Sequence, residues 1–488
     1  MDYYPRDNLL VKRGEPAIMR TMRYYIVFFV LAPLLSWSGT PIWGHELGDF
    51  HIHPRNPKLL ILATNTGGFF EHDVARKNFT FYRQPESLEL SPEFSPKILI
   101  DQEANIYWII LQNQLFKFHR LKRSWEPIEL QLKKDESDTK NEKIINLALG
   151  KERVWILTSQ RILYYDKNLL KVVSLSEKYQ IPEAHFLSVS FDNNGDPWFC
   201  SEKGLGYLKA STTWLWTSFL STSNVRTMYF AKKRAWVGYF QGISKLTPSG
   251  ETWKEEAVTA LGKATVIEQI LEYGDSLFVI SSGRLQGIAE KGAFYEYNLK
   301  SQELITHDIP DTRAFFKMHR DNKGIFWLAE GRVLNVASVY HYDPKNKKVL
   351  QKIEPKNWLE ALLKNRDEKI LKLTINALYD EKDYAFKLAK LLPFLNHKSE
   401  SIRISTLKTL HHLPEDQRVK VIAVIKNHLA TERSNKVVLA SFDTLAFNPH
   451  EEGKLIIQQY TNDKDALIRE KAAWALDYID KRLRGIAE

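Results

Sequence analysis

The chain has 488 residues, a formal net charge of +10, 44% hydrophobic residues and 26% charged residues. These values are typical of a globular protein with two or three domains and exclude a disordered or fibrous chain. Cys200 is the only cysteine, which excludes an intramolecular disulfide and a cysteine zinc site. No run of Lys and Arg resembles a nucleic-acid-binding arm, so we predict no nucleic-acid partner.

Residues 1–43 have the pattern of an export signal. Arg20 and Arg23 precede an apolar run of about a dozen residues, which is shorter than the ~20 that a membrane span needs. We expect this segment to direct export to the periplasm or cell surface, as a cleaved signal peptide or an uncleaved membrane anchor. A start at Met19 or Met22, instead of at the first residue, would give a signal of ordinary proportions.

A recurring pattern organises residues 44–352. An aromatic anchor lies in a short apolar strand, and a second apolar strand follows about ten residues later. The anchors, which recur at intervals of 38 to 49 residues, are Trp108, Trp155, Trp198, Trp236, Phe278 and Trp327. A period in the forties with several short strands per unit predicts radial β-repeats. With an earlier unit at 56–73, the sequence predicts an all-β seven-bladed β-propeller.

Two of these units share a turn before the anchor. One runs Asp-Asn-Asn-Gly-Asp-Pro-Trp from Asp192 to Trp198, and the other runs Asp-Asn-Lys-Gly-Ile-Phe-Trp from Asp321 to Trp327. The glycine permits the positive φ that a tight turn needs. We therefore predict a hairpin turn before each of these two anchors.

The Asp-x-x-Gly-x-x-Trp-Phe-x-Ser-x-x-Gly-Leu pattern around Trp198 resembles the propeller repeat of two-component regulator sensor domains. The first unit, from His53 to Phe69, is similar to blades of sialidase-like and photosystem-assembly-factor-like propellers. The resemblance covers about 300 residues, and it implies a sensor propeller. In that family a transmembrane helix and a kinase usually follow the propeller, and the residues after 345 match neither.

Composition changes near residue 350, because 18 of the 22 glycines lie between Gly44 and Gly331. Residues 353–488 have the spacing of amphipathic helices joined by short polar turns. An Ile-Arg pair that ends at Arg403 returns at Arg469, two periods of about 33 residues later. This pattern resembles HEAT-like repeats, so we predict an all-α solenoid with a surface suited to protein partners.

Several motifs resemble functional sites, but we predict no catalytic, cofactor-binding or metal-binding residue and no cofactor. Asp49-Phe-His51-Ile-His53 imitates the Asp-x-His-x-His metal motif of amidohydrolases. Blade-type strands follow it without βα alternation, which favours an ordinary first strand over a metal site. His411 and His412 lie at a helix end, where a structural role beside the terminal carbonyls is favoured.

Two further motifs have structural explanations. Gly204-Leu-Gly206 and Gly283-Arg-Leu-Gln-Gly287 are predicted hairpin glycines, because neither has the spacing and context of a dinucleotide-binding loop. Three tryptophans lie outside the anchor register and could stack on a sugar, so a glycan is an alternative ligand, although packing between blades is favoured. They are Trp214, Trp216 and Trp253.

The sequence predicts an exported, non-enzymatic binding protein that acts as a scaffold or sensor for protein partners in the cell envelope. Both predicted modules bind through rigid surfaces, and the choice rests on fold-level analogy. One alternative is a lyase or glycan-processing hydrolase with its site in the central mouth of the propeller, which would need convergent ionisable side chains from different blades. Another is an input module for a separately encoded signalling partner.

Overall fold

A computed structural model gives the fold of residues 47–486, with gaps. The described ranges are 47–64, 68–88, 96–101, 105–133, 141–181, 183–209, 213–217, 224–240, 242–249, 252–258, 266–281, 284–285, 288–289, 293–309, 315–321, 323–332, 335–379 and 381–486. They belong to one compact unit, Trp43–Glu488. The predicted export segment, residues 1–43, lies outside the described residues.

Seven four-stranded antiparallel sheets follow one another along the chain, and we number them blades I to VII. Blade I contains β1 (Leu47–His53), β2 (Asn56–Thr64), β3 (Gly68–Asp73) and β4 (Asn78–Arg83), and blade II contains β5 (Lys97–Asp101), β6 (Ile106–Leu111), β7 (Gln114–His119) and β8 (Ser124–Ile128). Blade III contains β9 (Ile144–Leu149), β10 (Arg153–Thr158), β11 (Ile162–Asp166) and β12 (Lys171–Ser174), and the short helix α1 (Leu175–Lys178) follows it. Blade IV contains β13 (Phe186–Phe191), β14 (Pro197–Ser201), β15 (Gly204–Lys209) and β16 (Thr213–Trp216).

The last three blades have the same order of strands. Blade V contains β17 (Val225–Ala231), β18 (Arg234–Tyr239), β19 (Gly242–Ser249) and β20 (Thr252–Ala257). Blade VI contains β21 (Ile267–Tyr273), β22 (Ser276–Ser281), β25 (Ala293–Asn298) and β26 (Leu304–His307), with the hairpin β23 (Arg284–Leu285) and β24 (Ile288–Ala289) inserted between its second and third strands. Blade VII contains β27 (Phe315–Arg320), β28 (Phe326–Arg332), β29 (Asn335–Asp343) and β30 (Lys348–Ile353).

The first strand of each blade contacts the first strand of the next, and β27 contacts β1, so the seven first strands form a closed ring. This arrangement confirms the predicted seven-bladed β-propeller. The anchors explain how neighbouring blades pack, because each one lies on the second strand of its blade and is buried against the following blade. For example, Trp108 packs against Val154 and Ile156 of blade III, and Trp236 packs against Leu277 of blade VI.

The two predicted turns have the same geometry. Gly195 and Gly324 have φ values of 85° and 82°. The Asp192 carboxylate accepts hydrogen bonds from the amides of Asn194 and Asp196, and the Asp321 carboxylate accepts equivalent bonds from the amides two and four residues further on. The Asp-x-x-Gly spacing is therefore that of a turn stabilised by its own aspartate.

A helical region follows the propeller and confirms the second part of the predicted fold class. Its helices are α2 (Pro355–Leu362), α3 (Glu368–Ala377), α4 (Tyr384–Leu391), a 3₁₀ helix (Leu392–Asn396), α5 (Glu400–Thr409), α6 (Glu415–Leu429), α7 (Asn435–Ala446), α8 (Glu451–Gln458) and α9 (Ala466–Leu483). In the order α3, α5, α7 and α9, adjacent helices contact one another and form one layer, while α6 contacts the 3₁₀ helix and α8 in a second layer. Among the described helices, none is both long and apolar enough to cross a membrane.

The helical region shares a hydrophobic core with the interface between blades VII and I. Trp327 of blade VII, Leu62 of blade I and the fully buried Trp358 of α2 belong to one continuous cluster that extends to α9. Helix α2 also contacts β4, the outermost strand of blade I, and Arg83 at the end of β4 pairs with Asp367, the N-cap residue of α3. The first helices therefore cover a sheet edge that would otherwise be exposed.

Candidate functional site

Seven polar residues occupy equivalent positions on the first strands of the blades. In each blade, the polar residue pairs across the sheet with the residue two positions after the anchor. In blade I, Ile61 occupies the position of the anchor. We call this set the inner polar ring. Its members are Asp49, Lys97, Asn146, Ser188, Thr227, Gln269 and Lys317.

A β-bulge explains why these positions differ from the apolar residues around them. In every blade except blade II, the described register shifts by one residue immediately before the ring member. A bulge adds local twist and redirects the side chain that follows it. In these six blades, the same irregularity therefore places one polar side chain at an equivalent position of the first strand.

Members of the inner polar ring bond to neighbouring blades. The Asn146 side chain donates to the Leu187 carbonyl at 3.0 Å, and the Ser188 hydroxyl donates to the Arg226 carbonyl at 2.8 Å. The Gln269 side-chain oxygen accepts from the backbone amide of Met318 at 2.8 Å. Because each bond crosses from one blade to the next, the ring supplies a directional link between blades that apolar packing lacks.

Ionisable groups concentrate where the ring closes, between blades VII and I. The Lys317 ammonium donates to the Asp49 carboxylate and to Nε2 of His51 at 2.8 Å. Asp49 also accepts from the amides of Phe50 at 2.9 Å and Ile98 at 3.1 Å. His319 Nε2 donates to the Phe50 carbonyl at 3.1 Å. We call Asp49, His51, Lys317 and His319 the closing cluster.

The protonation states of the closing cluster follow from burial and from Lys317. Burial alone would raise the pKa of Asp49, but the charge of the Lys317 ammonium outweighs it and holds that pKa well below its usual range. Burial and the Lys317 ammonium lower the pKa of His51, and burial, His51 and Lys317 bring the pKa of His319 well below its usual range. At neutral pH the cluster therefore contains a carboxylate and two neutral imidazoles.

The bond from Lys317 also assigns the His51 tautomer. Nε2 of His51 accepts a hydrogen bond from the ammonium, so the proton of this neutral imidazole lies on Nδ1. The Asp49 oxygens and this imidazole lone pair are therefore both engaged in bonds between blades. Burial would lower the pKa of Lys317, Asp49 opposes that effect, and the net direction is downward.

The Asp-x-His-x-His motif is divided by the fold. Asp49 and His51 lie together in the closing cluster, whereas the pairing of β1 with β2 shifts register between Ile52 and His53. The ring of His53 lies 6.4 Å from that of Tyr107 in blade II. Within the described ranges, no three His, Cys, Asp or Glu side chains are grouped as a metal ion would require.

The other histidine candidates contact an aromatic side chain, and the cysteine is buried in a strand. The rings of His411 and His412 lie 4.8 Å and 5.1 Å from that of Phe447. Cys200 is fully buried on β14, and burial raises the pKa of its thiol to about 12. The predicted hairpin glycines Gly283 and Gly287 lie outside the described residues.

The tryptophans outside the anchor register contact other aromatic rings. Trp214 lies 5.4 Å from both Phe199 and Trp216, and a Cβ on Gly206 would lie 2.3 Å from the Trp214 ring. Trp253 lies 5.6 Å from Trp198. These contacts are the packing interactions that the sequence favoured over a sugar platform.

Sequence reasoning identified Asp49 and His51 but missed Lys317 and His319, which lie more than 260 residues away. A usable signal was present, because a polar residue precedes each anchor by nine to eleven residues, as Asn146 precedes Trp155 and Lys97 precedes Trp108. Single polar residues in short strands are common, so the signal emerges only when the seven blades are aligned by register.

No protein-family profile matches the chain, and no curated protein matches it. One similar solved structure is the extracellular domain of the hybrid two-component system BT3049 from B. thetaiotaomicron, with 16% identity, a TM-score of 0.43 and coverage of 58% of this chain and 38% of that one. Another is the extracellular domain of the one-component system BT4673 from the same organism, with 14% identity, a TM-score of 0.45 and coverage of 61% and 39%.

A third is YCF48 from Cyanidioschyzon merolae, with 14% identity, a TM-score of 0.44 and coverage of 62% of this chain and 97% of that one. The chain therefore spans 38–39% of the length of the two bacterial domains. The similarity to extracellular domains of two-component regulators is the resemblance that the repeat pattern predicted.

Proposed function

We propose that this chain is an exported, non-enzymatic binding protein that acts as a scaffold or sensor for protein partners in the cell envelope. The proposed parts are an export segment or membrane anchor (1–43), the propeller (44–352) and a HEAT-like solenoid (353–488). The observation that carries the proposal is the continuous core that joins Trp327 and Leu62 of the propeller to Trp358 of the helical region. A shared core holds the two parts in one arrangement, and a rigid surface binds a partner without the entropy cost of ordering it.

The closing cluster supports the same function. Its carboxylate, ammonium and imidazole groups bond to one another and to the backbone of blades I and II. Because these groups are bonded to one another and to the backbone, they stabilise the closed propeller. We therefore expect a partner to bind at the outer surfaces of the propeller.

One observation favours the enzyme alternative. Ionisable groups from blades I, II and VII meet beside the first strands, where Lys97 approaches the Gly48 carbonyl at 3.5 Å, close to Asp49 and Lys317. Clusters with perturbed pKa values are candidate catalytic sites. The engagement of Asp49 and His51 with Lys317 leaves binding as the better-supported function.

Photo-crosslinking in the native cell envelope tests the proposal. A photoreactive amino acid replaces Leu121 or Leu169 on propeller hairpins, or Leu467 on α9, which are 79%, 63% and 64% exposed. We expect at least one position to crosslink a discrete protein, and the pattern identifies the binding surface. The fully buried Leu246 supplies the matched negative control. If all three exposed positions crosslink no protein above that control, the scaffold function is wrong.

A further inference from the structure

Five aromatic side chains form a continuous row across the C-terminal part of the helical region. The His411 and His412 rings, which follow α5, contact Phe447 at the end of α7. Phe447 lies 5.5 Å from Tyr478 of α9, and Tyr478 lies 5.5 Å from Trp474. We call these five residues the aromatic row.

One end of the aromatic row is open to solvent. Trp474 is 39% exposed, and Leu467, seven residues earlier on α9, is 64% exposed. Residues spaced by three, four or seven positions lie on one side of a helix. Leu467, Trp474 and Tyr478 therefore form an apolar stripe on the same side of α9.

Cations surround the aromatic row. Lys471 lies over the Trp474 ring at 3.7 Å, and the Arg482 guanidinium donates to the Tyr478 hydroxyl at 3.0 Å and 3.2 Å. Burial, the adjacent His412 and the lysines Lys408 and Lys387 lower the pKa of His411 to about 4, and burial, Arg482 and Arg418 lower that of His412. The charged groups that act on both imidazoles are all cations, so this surface is complementary to an anion.

Two of these cations are available to a partner. Among the described residues, neither Arg418 nor Arg482 has a carboxylate within ion-pair distance. Arg418 donates through Nε to the Leu413 carbonyl, which leaves the end of its guanidinium for another acceptor. Guanidinium groups bind carboxylates with two parallel hydrogen bonds, a geometry that suits an aspartate or glutamate side chain.

Carboxylates on the neighbouring helices argue against a polyphosphate as the partner. Lys471 pairs with Asp443 of α7, Asp480 pairs with Lys454 of α8, and Asp477 pairs with Lys481 on α9 itself. A nucleic acid or an anionic membrane needs many cations without interspersed carboxylates. A short segment that combines a few acidic residues with an apolar side chain fits the two arginines and the apolar stripe better.

We propose that the aromatic row and its arginines bind an acidic, partly apolar peptide segment of a protein partner. The acidic side chains pair with Arg418 and Arg482, and an aliphatic or aromatic side chain packs on Trp474 and Leu467. This inference deepens the proposed function and rests on it, because it assigns the partner chemistry of one surface of the scaffold.

Fluorescence anisotropy with the full chain tests this inference. The probe is a short labelled peptide in which Glu and Asp alternate with Leu and Phe, and its control replaces the acids with Gln and Asn. We expect Trp474→Ala to weaken binding about tenfold, as for an aromatic hot spot, and Arg482→Gln to weaken it about two- to fivefold. Arg433→Gln is the matched control, because Arg433 is exposed at the opposite end of α7.

Several outcomes would overturn the inference. These are equal binding of the acidic and amide peptides, unchanged affinity in the Trp474→Ala, Arg482→Gln double variant, or tighter binding of single-stranded DNA or phosphatidylglycerol vesicles than of the peptide. A protein dimer that Trp474→Ala dissociates would assign the surface to a second copy instead. Circular dichroism checks that the variants remain folded, which their exposed positions predict.

The same double variant separates this inference from the proposed function. If the double variant, with the photoreactive amino acid at another position, still crosslinks the same envelope protein, the scaffold function holds. The aromatic row is then not the surface that binds this protein. If the unmodified chain crosslinks no protein, the proposed function fails whether or not the peptide binds.

Discussion

Asp49 and Lys317 link the first and last blades of the propeller although 268 residues separate them. The Asp49 side chain is 5% exposed and that of Lys317 20% exposed, so the carboxylate depends on the ammonium and on two backbone amides. Removing one partner of such a pair leaves a buried charge without compensation, which costs more than the pair itself contributes. The closing cluster therefore makes stability sensitive to single residues on opposite sides of one interface.

Lys317→Met should lower the stability of the propeller by about 3 kcal/mol at pH 7. It should also raise the pKa of Asp49, so the deficit should shrink as the pH falls toward about 4 and the carboxyl becomes neutral. The measurement is the urea midpoint of wild type and variant across this pH range. Lys245→Met, which breaks the more exposed pair with Glu256, is the control and should cost less than about 1 kcal/mol. A deficit independent of pH would contradict the proposed role of the ammonium.

Arg403 and Arg469 perform the same task at the beginning of two helices. The Arg403 guanidinium donates to the carbonyls of His397 and Lys398, and Arg469 donates to those of Asp463 and Lys464. Both arginines thus tie the preceding turn to the helix. Arg403 alone also makes two bonds to the buried Glu432, at 2.8 Å and 3.1 Å.

This difference predicts unequal effects of the same substitution. Arg403→Ala should lower stability by about 2–3 kcal/mol, because Glu432 loses its charged partner. Arg469→Ala should cost less than about 1 kcal/mol, because its bonds are solvent-exposed. Thermal unfolding of the two variants beside wild type is the measurement. Equal losses would show that the turn bonds, and not the Glu432 pair, determine the effect.

The whole molecule depends on the core that continues from blades VII and I into the helices. Trp358→Ala should lower stability by about 3–5 kcal/mol, the usual cost of truncating a buried tryptophan. It should also separate the unfolding of the propeller from that of the helical region, because the cavity lies where α2 joins the shared core. Differential scanning calorimetry should show two transitions, with Trp474→Ala as the exposed control. A single transition at the wild-type midpoint would contradict the shared core.

Buried neutral histidines make the molecule sensitive to acid. Their pKa values are lowered in the folded state mainly by burial, so the unfolded chain binds more protons below pH 6.5 and stability falls as the pH decreases. The histidines concerned, which are buried or half-buried, are His51, His53, His72, His307, His319, His341, His411 and His428. We expect the thermal midpoint to drop steadily from about pH 7.5 to about pH 5. A constant midpoint over this range would show that these imidazoles protonate in the folded state.

Local patterns predicted the repeating elements better than the contacts between them. The anchors and the Asp192 and Asp321 turns depend on neighbouring residues, so their geometry follows from strand alternation and glycine φ preferences. The closing cluster could not be predicted from Asp49 and His51 alone, because the same motif is compatible with a metal site. Lys317 distinguishes the closing cluster from a metal site, because its ammonium bonds to both the Asp49 carboxylate and the His51 lone pair. This lysine lies in the last blade, far along the chain from Asp49 and His51.

The sequence by itself determined the seven blades, the change to helices near residue 350 and the anchors that pack one blade on the next. These features have short periods, and burial of apolar side chains imposes them on each segment separately. Only the tertiary structure decided how the ring closes, how Trp358 joins the helices to blades VII and I, and how His411, Phe447 and Tyr478 meet. Such contacts depend on register and on which distant segments the closed ring brings together, and periodicity along the chain does not contain that information.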